Sequence, residues 1–367
     1  MNRREFLRCS IGLGCLAFAG AMGRSTLRES EARRAAVRFL AARQSPDGAW
    51  RSAHYGAFRE GDALTPLVLW ALVDSDAPVA RGAAWLQRFT DAQAARSEPW
   101  SGLAYPLFTA SYSAQFFGAR GDAARAGFWA SVVNDLRIRE SLGWSANDAA
   151  CGAWSDSPVP PRITDRTLPS PDMVAPNLSA TLLGLQALIA AGRKDEAATA
   201  LPFVEQCQNF AAANSGEFDD GGFIFAPGDP VRNKAGIVGR DAVGRTRFHS
   251  YSSATCDGYL ALRACGLAQD HPRMRAAASW LQRDGEGRWA DGRAAARESL
   301  VFYHAQALAA ALADLSDSAR AHALTAALIA RQASDGSWQG EAPASCEDDP
   351  MLATAFALRA VGPALSI

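Results

Sequence analysis

Hydrophobic and polar residues alternate between two kinds of helical segment along this chain. In residues 36–43, Val37, Leu40 and Ala41 recur at helical spacing, and arginines occupy the opposite side. Residues 64–73 (LTPLVLWALV) instead have no polar side at all. The first pattern predicts an amphipathic helix at the surface, and the second predicts a helix that neighbouring elements cover on every side.

The two kinds of segment recur in six pairs. Further amphipathic segments are predicted at 78–93, 122–140, 195–213, 272–283 and 317–332. Their apolar partners are predicted at 105–117, 176–191, 251–265, 299–313 and 350–361. Repetition of a two-helix unit without an intervening linker predicts six helical hairpins in one domain, which we place at residues 31–367.

A short turn with glycine and an aromatic residue joins the two helices of a pair. Its sharpest copies are QSPDGAW at 44–50 and QASDGSW at 332–338, and weaker copies are centred on 102, 152–154, 220–223 and 287–289. We expect each tryptophan to cover the helix junction and each glutamine amide to bond free backbone groups at the helix ends. A structural role is therefore assigned to Gln44, Trp50, Gln332 and Trp338.

Twelve helices of alternating character are most simply accommodated as two concentric rings, with the apolar set inside. Proline marks the first turn of four inner helices, at Pro66, Pro106, Pro176 and Pro350. The alternative is an open solenoid, but its ends would need polar caps, and the last inner segment is as apolar as the middle ones. The predicted fold class is therefore all-α, an (α/α)6 toroid of six hairpins with an inner apolar ring and an outer amphipathic ring.

Composition supports a large core and removes one class of partner. Hydrophobic residues make up 49% of the chain, and 37 basic residues face 38 acidic ones. Because this balance produces no positive field, nucleic acid is not expected as a partner. The seven cysteines have no paired spacing, which predicts neither a disulfide framework nor a structural zinc module.

The amino terminus has the pattern of an export signal. The adjacent Arg3 and Arg4, within residues 2–8 (NRREFLR), precede an apolar run at 11–22. We predict a twin-arginine signal peptide at 1–21, a short extension at 22–30, and a periplasmic or other extracytoplasmic location. A membrane-spanning helix needs about 20 apolar residues, so no transmembrane anchor is expected after the signal is removed.

Both sharp turns resemble the QW repeats of the terpenoid cyclase and protein prenyltransferase superfamily. The resemblance covers about residues 31–361, and this part of the chain is similar to a squalene/hopene-cyclase-like domain. It implies a six-hairpin α/α barrel. Together with the ring of apolar helices, it predicts a central cavity that binds an isoprenoid or another apolar ligand.

The inner helices of such a toroid point their amino termini at one end of the ring, which we call the mouth. Partial positive charge and free N–H groups converge there. Candidate ligand contacts near these termini are Tyr105, Asn177, Tyr251, Tyr259 and Tyr303. Two long connectors, 155–175 and 214–250, are expected either to cover the mouth as a lid or to form solvated loops. As a lid, the second would bring Arg232 and Lys234 to an anionic or polar ligand.

The first candidate for chemistry is an acidic run, Cys346, Glu347, Asp348 and Asp349. It is similar to the D-x-D-D-T-A stretch of class II terpene cyclases, in which the middle Asp protonates an alkene. Adjacent carboxylates raise one another's pKa, which favours such an acid. The leading Asp is replaced here by Cys346, so the catalytic motif is incomplete. The alternative is an acidic cap on the dipole of the following helix.

The second candidate is Asp257 together with His304. Protein prenyltransferases are similar here, with Asp-Gly-Cys supplying two zinc ligands and a later Phe-Tyr-His supplying the third. The resemblance implies a zinc site at Asp257 and His304, but Tyr259 stands at the thiolate position, so the third ligand is missing. Without a metal, Asp257 and His304 would form either an acid/base couple or a structural hydrogen bond.

Three functions remain open at this point. The leading hypothesis is an exported, terpenoid-cyclase-like protein that binds an apolar ligand in its central cavity. The second is an enzyme, either a cyclase, a prenyl-transfer-like enzyme or a polysaccharide-active one, that uses Asp257, His304 and the carboxylates at 347–349. The third is a non-catalytic module that binds another protein.

Overall fold

The computed structural model describes residues 27–73, 79–148, 150–163, 175–211, 218–284, 300–341 and 343–362. Its inner helices are α2 (Leu64–Ala71), α4 (Pro106–Ala119), α6 (Leu178–Ala190), α9 (Ser252–Ala264), α11 (Val301–Asp314) and α13 (Pro350–Val361). Its outer helices are α1 (27–42), α3 (Val79–Ala94), α5 (Ala123–Asp135), α7 (Lys194–Ala198), α8 (Leu201–Gln206), α10 (Pro272–Asp284) and α12 (Ser318–Ala330).

The inner helices form a closed ring. Each packs against the next along the chain, and α13 packs back against α2. The all-α toroid is therefore confirmed, and the open solenoid is wrong. Every residue of α2 is buried, as are all residues of α13 after Pro350. Burial on all sides is the environment that helices without a polar side require.

Proline opens two of the inner helices as expected. Pro106 and Pro350 occupy the first turns of α4 and α13, where the missing N–H removes no helical hydrogen bond. Pro66 lies at the third position of α2. Pro176 instead precedes α6, whose amino-terminal cap is Asn177.

In four of the described turns, one set of contacts recurs between the two helices of a hairpin. The indole N–H of Trp50 donates to the Leu40 carbonyl at 2.8 Å, and its backbone N–H donates to the Thr65 hydroxyl at 2.9 Å. Trp338 makes the same pair of bonds to the Leu328 carbonyl and the Thr354 hydroxyl, at 2.7 and 3.0 Å. Trp154 and Phe223 likewise donate their backbone N–H to Thr181 and Thr255.

Two turn glycines explain why the repeats pack so closely. Gly48 and Gly336 have φ of 102° and 91°, a region that residues with a Cβ rarely adopt. A Cβ on Gly48 would lie 2.4 Å from the Arg81 carbonyl, and one on Gly336 would lie 2.5 Å from the Ala35 carbonyl. Each turn therefore packs against the outer helix of the next hairpin, and the last turn packs against α1.

The second hairpin departs from this scheme. Thr109 occupies in α4 the position that Thr181 and Thr255 occupy in α6 and α9, but its buried hydroxyl has no hydrogen-bond partner. The turn at Gly102 has no aromatic residue two positions after the glycine. The weak sequence signal of this repeat thus corresponds to the loss of one specific hydrogen bond.

Several boundaries and one connector differ from expectation. The amphipathic segment predicted at 195–213 is broken after Ala198 into two short helices, and the one predicted at 122–140 ends at Asp135. Short 3-10 turns lie at Gly56–Phe58, Glu140–Leu142 and Pro343–Ser345 of the described chain. The second connector contains an antiparallel hairpin of β1 (Ile237–Arg240) and β2 (Thr246–Phe248), in which Ile237 pairs with Phe248.

The predicted signal peptide, the turn at 287–289 and parts of both connectors lie outside the described residues. Among the residues that are described, no helix combines the length and the apolar character needed to cross a membrane.

Candidate functional site

A cavity of about 600 Å³ opens at the mouth of the ring. Its aromatic lining consists of Phe58, Tyr105, Phe108, Phe225, Tyr303 and Phe356, and its aliphatic lining of Pro106, Leu107, Leu183, Leu300 and Leu352. Its polar lining consists of Asp156, Ser157, Ser179, Lys234, Ser345, Cys346 and Glu347. Most of these residues belong to the first turns of inner helices or to the segments just before them, which is where the sequence placed the site.

Asp257 lies one hydrogen bond behind the cavity wall. Its Oδ2 accepts hydrogen bonds from the Ser179 hydroxyl at 2.5 Å and the Tyr303 hydroxyl at 3.0 Å, and both donors line the cavity. Its Oδ1 is buried and has no hydrogen-bond partner. Burial raises the pKa of Asp257 to about 7, although the two hydrogen bonds and the charge of Lys234 oppose the increase. A carboxyl group in this setting holds its proton near neutral pH.

Glu347 links two inner helices at the cavity wall. Its carboxylate accepts hydrogen bonds from the backbone N–H of Phe302 at 3.0 Å and of Tyr303 at 2.7 Å, so it caps the amino terminus of α11. Only 1% of the residue is exposed. Burial raises its pKa to about 7, and the backbone hydrogen bonds limit that increase. Glu347 is thus a second carboxyl group beside the cavity that is protonated in part at neutral pH.

Two charged residues, Asp156 and Lys234, reach the cavity from the connectors. Burial lowers the pKa of Lys234, whereas the negative charges of Glu347 and Asp257 raise it. Asp156 lines the cavity but is itself exposed, and it accepts a hydrogen bond from the Asn177 side chain at 2.8 Å. The cavity therefore combines an apolar wall with one amine and several carboxyl groups.

The predicted pairing of Asp257 with His304 is wrong. Both oxygens of Asp257 are accounted for above, and neither is hydrogen-bonded to His304. The His304 ring contacts the Ser252 hydroxyl instead, with Nε2 at 2.7 Å from Oγ. The two side chains lie on neighbouring helices, but their bonding directions diverge.

The zinc site implied by the resemblance does not fit these residues. Tyr259, at the thiolate position, donates its hydroxyl to Asp314 Oδ2 at 2.6 Å. Within the described ranges, no three His, Cys, Asp or Glu side chains are placed so that they could hold a metal ion.

The acidic run divides into separate roles. Asp349 is the amino-terminal cap of α13, and its Oδ1 accepts from the Met351 N–H at 2.8 Å. Asp348 accepts a hydrogen bond from the Tyr55 hydroxyl, which raises the pKa of Tyr55. Neither carboxylate lines the cavity. The capping interpretation therefore describes Asp349, and Glu347 is the carboxylate of the run that borders the cavity, next to Cys346.

Of the five predicted ligand contacts, some line the cavity and others do not. Tyr105 and Tyr303 line the cavity, and 41% of Tyr105 is exposed at its rim. Asn177 does not line it, since its side chain caps α6 and holds Asp156. Tyr251 and Tyr259 are buried and do not line it either, so the expectation that they contact a ligand is wrong.

The two connectors meet beside the cavity. Arg232, which was expected to face a ligand, instead donates to the Ala175 carbonyl at 3.1 Å and pairs with Asp229. Lys234 does reach the cavity. The described parts of both connectors thus border the mouth, and Arg232 ties one to the other.

Sequence reasoning missed Asp156 and most of the aromatic lining. Asp156 follows the third turn in a proline-rich stretch without helical periodicity, so nothing in the sequence indicated its direction. Lys234, one of only two lysines among the 37 basic residues, was expected to reach a ligand as part of a lid, and it does line the cavity.

No family model and no curated protein sequence matches this chain. Solved structures of the type II terpene cyclase MstE from Scytonema share its fold. A single-site variant in complex with geranylgeranyl dihydroxybenzoate, the substrate, has 14% identity and a TM-score of 0.55, covering 92% of this chain and 97% of that one. A variant in complex with the product, merosterolic acid A, has 14% identity, a TM-score of 0.54 and the same coverage. Apo MstE has 14% identity and a TM-score of 0.52, covering 91% and 97%. The chain thus has a terpenoid-cyclase-like fold.

Proposed function

We propose that the protein binds an isoprenoid, or another apolar chain of similar size, in the cavity at the mouth of the ring. The observation that carries this proposal is a space of about 600 Å³ with a mainly aromatic and aliphatic lining. Small-molecule sites in proteins commonly measure about 300–1,000 Å³ and combine such walls with a few polar groups.

The polar lining supports a ligand with one polar end. Three charged or acidic residues lie among the apolar lining: Lys234, Asp156 and Glu347. The Asn177 side chain donates a hydrogen bond to Asp156, and the Tyr303 N–H donates one to Glu347. A hydroxyl, carbonyl or carboxylate head would find partners there, while an apolar tail would contact the aromatic wall. The neighbouring structures point the same way, because MstE is bound to a geranylgeranyl substrate in one of them and to merosterolic acid A in another.

A pair of matched variants tests binding. Leu183 is half-buried and lines the cavity, so Leu183→Trp fills part of the space. Leu324 is also half-buried but lies on outer helix α12, which makes Leu324→Trp the control. With geranylgeraniol as the probe in a fluorescence titration, we expect Leu183→Trp to weaken binding about tenfold or more and Leu324→Trp to leave it unchanged. Absence of binding by the unmodified protein, or equal effects of both changes, would overturn the proposal.

A second candidate function is acid catalysis on the bound chain. The observation that favours it is Asp257, a buried carboxyl group with a pKa of about 7 and an unpartnered oxygen behind the cavity wall. In this proposal the acid is either Glu347, which lines the cavity, or Asp257, whose proton is relayed through the Ser179 or Tyr303 hydroxyl. The proton passes to one carbon of a ligand double bond, and the acid becomes a carboxylate. The other carbon becomes cationic, and loss of a proton from the rearranged product returns the acid to its starting state.

Turnover in D₂O tests that step. Geranylgeranyl dihydroxybenzoate, the substrate of the structural neighbour, should yield an isomer that carries one non-exchangeable deuterium, detected by mass spectrometry. Asp257→Asn should lower the rate about 100-fold or more if Asp257 is the acid, and Glu347→Gln should do so if Glu347 is. The rate should fall as pH rises above about 7, because the acid then loses its proton. No isomer at any pH, or full activity in both variants, would remove this candidate.

Export by the twin-arginine route also remains a proposal, supported by the residues at 2–8 and the apolar run that follows. Cell fractionation of the full chain should place it outside the cytoplasm. Replacing Arg3 and Arg4 by lysine together should retain it inside.

A further inference from the structure

Within the described chain, one basic residue lines the cavity, and it is a lysine. Arginine takes all but two of the 37 basic positions of the sequence, and the two lysines are Lys194 and Lys234. An arginine stays protonated at any ordinary pH, whereas the amine of a lysine can lose its proton and act as a nucleophile. Lysine at the cavity position therefore allows chemistry that a guanidinium group cannot perform.

A hydrogen-bonded loop presents Lys234 to the cavity. The preceding residue, Asn233, is buried, and its side-chain oxygen accepts from the Phe225 N–H at 2.9 Å and the Ala226 N–H at 3.2 Å. The side-chain amide of Asn233 donates to the Ala226 carbonyl at 2.6 Å. Ala235, on the other side of the lysine, is buried as well. The backbone of Lys234 thus lies between two anchored residues, and its side chain lines the cavity.

The surroundings of the Lys234 amine suit a neutral ligand head better than an anionic one. Burial lowers the pKa of Lys234, although the negative charges of Glu347 and Asp257 oppose the decrease. These two carboxyl groups lie at or just behind the cavity wall, and both are ionised in part near neutral pH. They repel an anionic head, whereas an aldehyde or ketone carbonyl meets no such repulsion.

We propose that Lys234 captures an apolar aldehyde or ketone covalently, as an imine. The proposal rests on the cavity site proposed above and names the reactive head of its ligand. The neutral amine adds to the carbonyl carbon, and one amine proton moves to the carbonyl oxygen. A second proton, from Glu347 in the same cavity, lets that oxygen leave as water. The product is an iminium group, and the Glu347 carboxylate that remains balances its positive charge.

Reductive trapping in the unmodified protein tests the imine, with Lys194 as an internal control. Lys194 is exposed at the start of outer helix α7, far from any cavity-lining segment in the sequence. The probe is geranylgeranial, and sodium cyanoborohydride reduces an imine to a stable secondary amine that peptide mass spectrometry locates. We expect Lys234 to be modified at least about tenfold faster than Lys194, because binding places the carbonyl beside its amine. Equal or slower modification of Lys234 would overturn the proposal.

Variants and a shorter aldehyde locate the effect. Lys234→Met should abolish the fast modification, and the matched change Lys194→Met should leave it as in the unmodified protein. Glu347→Gln should slow capture at Lys234 about 100-fold or more, because the proton donor is lost. Propanal lacks the apolar chain, so its preference for Lys234 over Lys194 should be smaller. Fast modification that survives Lys234→Met, an unchanged rate in Glu347→Gln, or an equal preference by propanal would each contradict the corresponding part of the proposal.

Geranylgeraniol separates failure of the imine from failure of the cavity site. It has the same chain as geranylgeranial but no carbonyl group, so it can bind without forming an imine. Binding of geranylgeraniol without capture of the aldehyde at Lys234 would overturn the imine and leave the cavity site standing. Failure of both probes would overturn both proposals. Tighter binding of geranylgeranoic acid than of geranylgeraniol, lost in Lys234→Met and without capture of the aldehyde, would assign the amine to an anionic head instead.

Discussion

The turns and the mouth of the ring differ in whether their buried polar groups have hydrogen-bond partners. At the turns, the indole N–H of Trp50, Trp154 and Trp338 each reaches a helix carbonyl at 2.7–2.8 Å. At the mouth, buried carboxylate oxygens of Asp62, Asp257 and Asp349 have no hydrogen-bond partner. These are all the unpartnered carboxylate oxygens of that kind in the described residues.

This difference in hydrogen bonding suits the turns to stabilising the ring and the mouth to the proposed ligand site. A buried indole whose N–H is bonded contributes packing without a desolvation penalty, so the turns stabilise the ring. Burial without a full set of partners costs a carboxyl group free energy, and it raises the pKa of Asp62 and Asp257. Groups of the second kind collect at sites that act on ligands, so the unpartnered carboxyls support the proposal that a ligand binds at the mouth.

The largest test of this contrast removes a turn tryptophan. Trp338→Ala deletes a fully buried ring and its bond to the Leu328 carbonyl, and we expect the free energy of unfolding to fall by about 3–5 kcal/mol. Urea denaturation followed by circular dichroism measures the loss. Trp338→Phe keeps most of the packing and should lose less. A decrease below about 1 kcal/mol for the alanine variant would contradict a stabilising role for the turn.

The second test removes a buried carboxyl group at the mouth, and at high pH we expect this change to increase the free energy of unfolding rather than to lower it. The pKa of Asp257 is about 7 when folded against 3.8 ordinarily, so the folded state binds the proton more tightly. The free energy of unfolding should therefore fall as pH rises from about 4 to 7, by up to about 4 kcal/mol from this group. Asp257→Asn should remove that part of the pH dependence and be more stable than the unmodified protein at pH 8. Parallel pH profiles for the two proteins would contradict the assignment.

The third test compares two buried threonines near the amino ends of inner helices. Thr354 accepts the backbone N–H of Trp338, so Thr354→Val leaves a buried donor unpaired and should cost about 1–3 kcal/mol. The Thr109 hydroxyl already has no partner, and Thr109→Val should be neutral or stabilising. Urea midpoints of the two variants decide the matter. Equal losses would mean that the hydroxyl bond is not what distinguishes the repeats.

The smallest expected effect lies at the surface of the turns. Arg43 and Asp335 form an ion pair at 3.5 Å where the last turn meets the first, but both side chains are well exposed. Arg43→Gln should change the unfolding free energy by no more than about 1 kcal/mol, since exposed pairs contribute little. A larger loss would show that charge, rather than packing, joins the last hairpin to the first.

Much of the ring could be predicted because its signals are local. The apolar run at 350–361 specifies a buried helix from its own residues, and Asp349 specifies the cap before it. The glycine and tryptophan of each sharp turn specify a backbone conformation and a buried ring within seven residues. Such features need no knowledge of which other segment they contact.

The sequence predicts where the site lies but not its contacts. Those contacts depend on which way side chains from different helices point. Asp257 and His304 were correctly placed on neighbouring inner helices, yet one points at Ser179 and Tyr303 and the other at Ser252. Likewise, Glu347 caps α11, a helix whose first residue lies more than forty positions earlier in the chain. Contacts of this kind arise from the packing of the ring and leave no periodic trace in the sequence.

The last turn of the ring closes on the first helix, which sets the order in which the molecule can be assembled. The Gln332 amide donates to the Ala32 carbonyl, 300 residues away along the chain. A ribosome adds that many residues in roughly 15 to 60 s. Throughout synthesis the first helix therefore lacks its final neighbour, and a chaperone that recognises apolar helices would find a target there until the sixth hairpin arrives and shuts the circle.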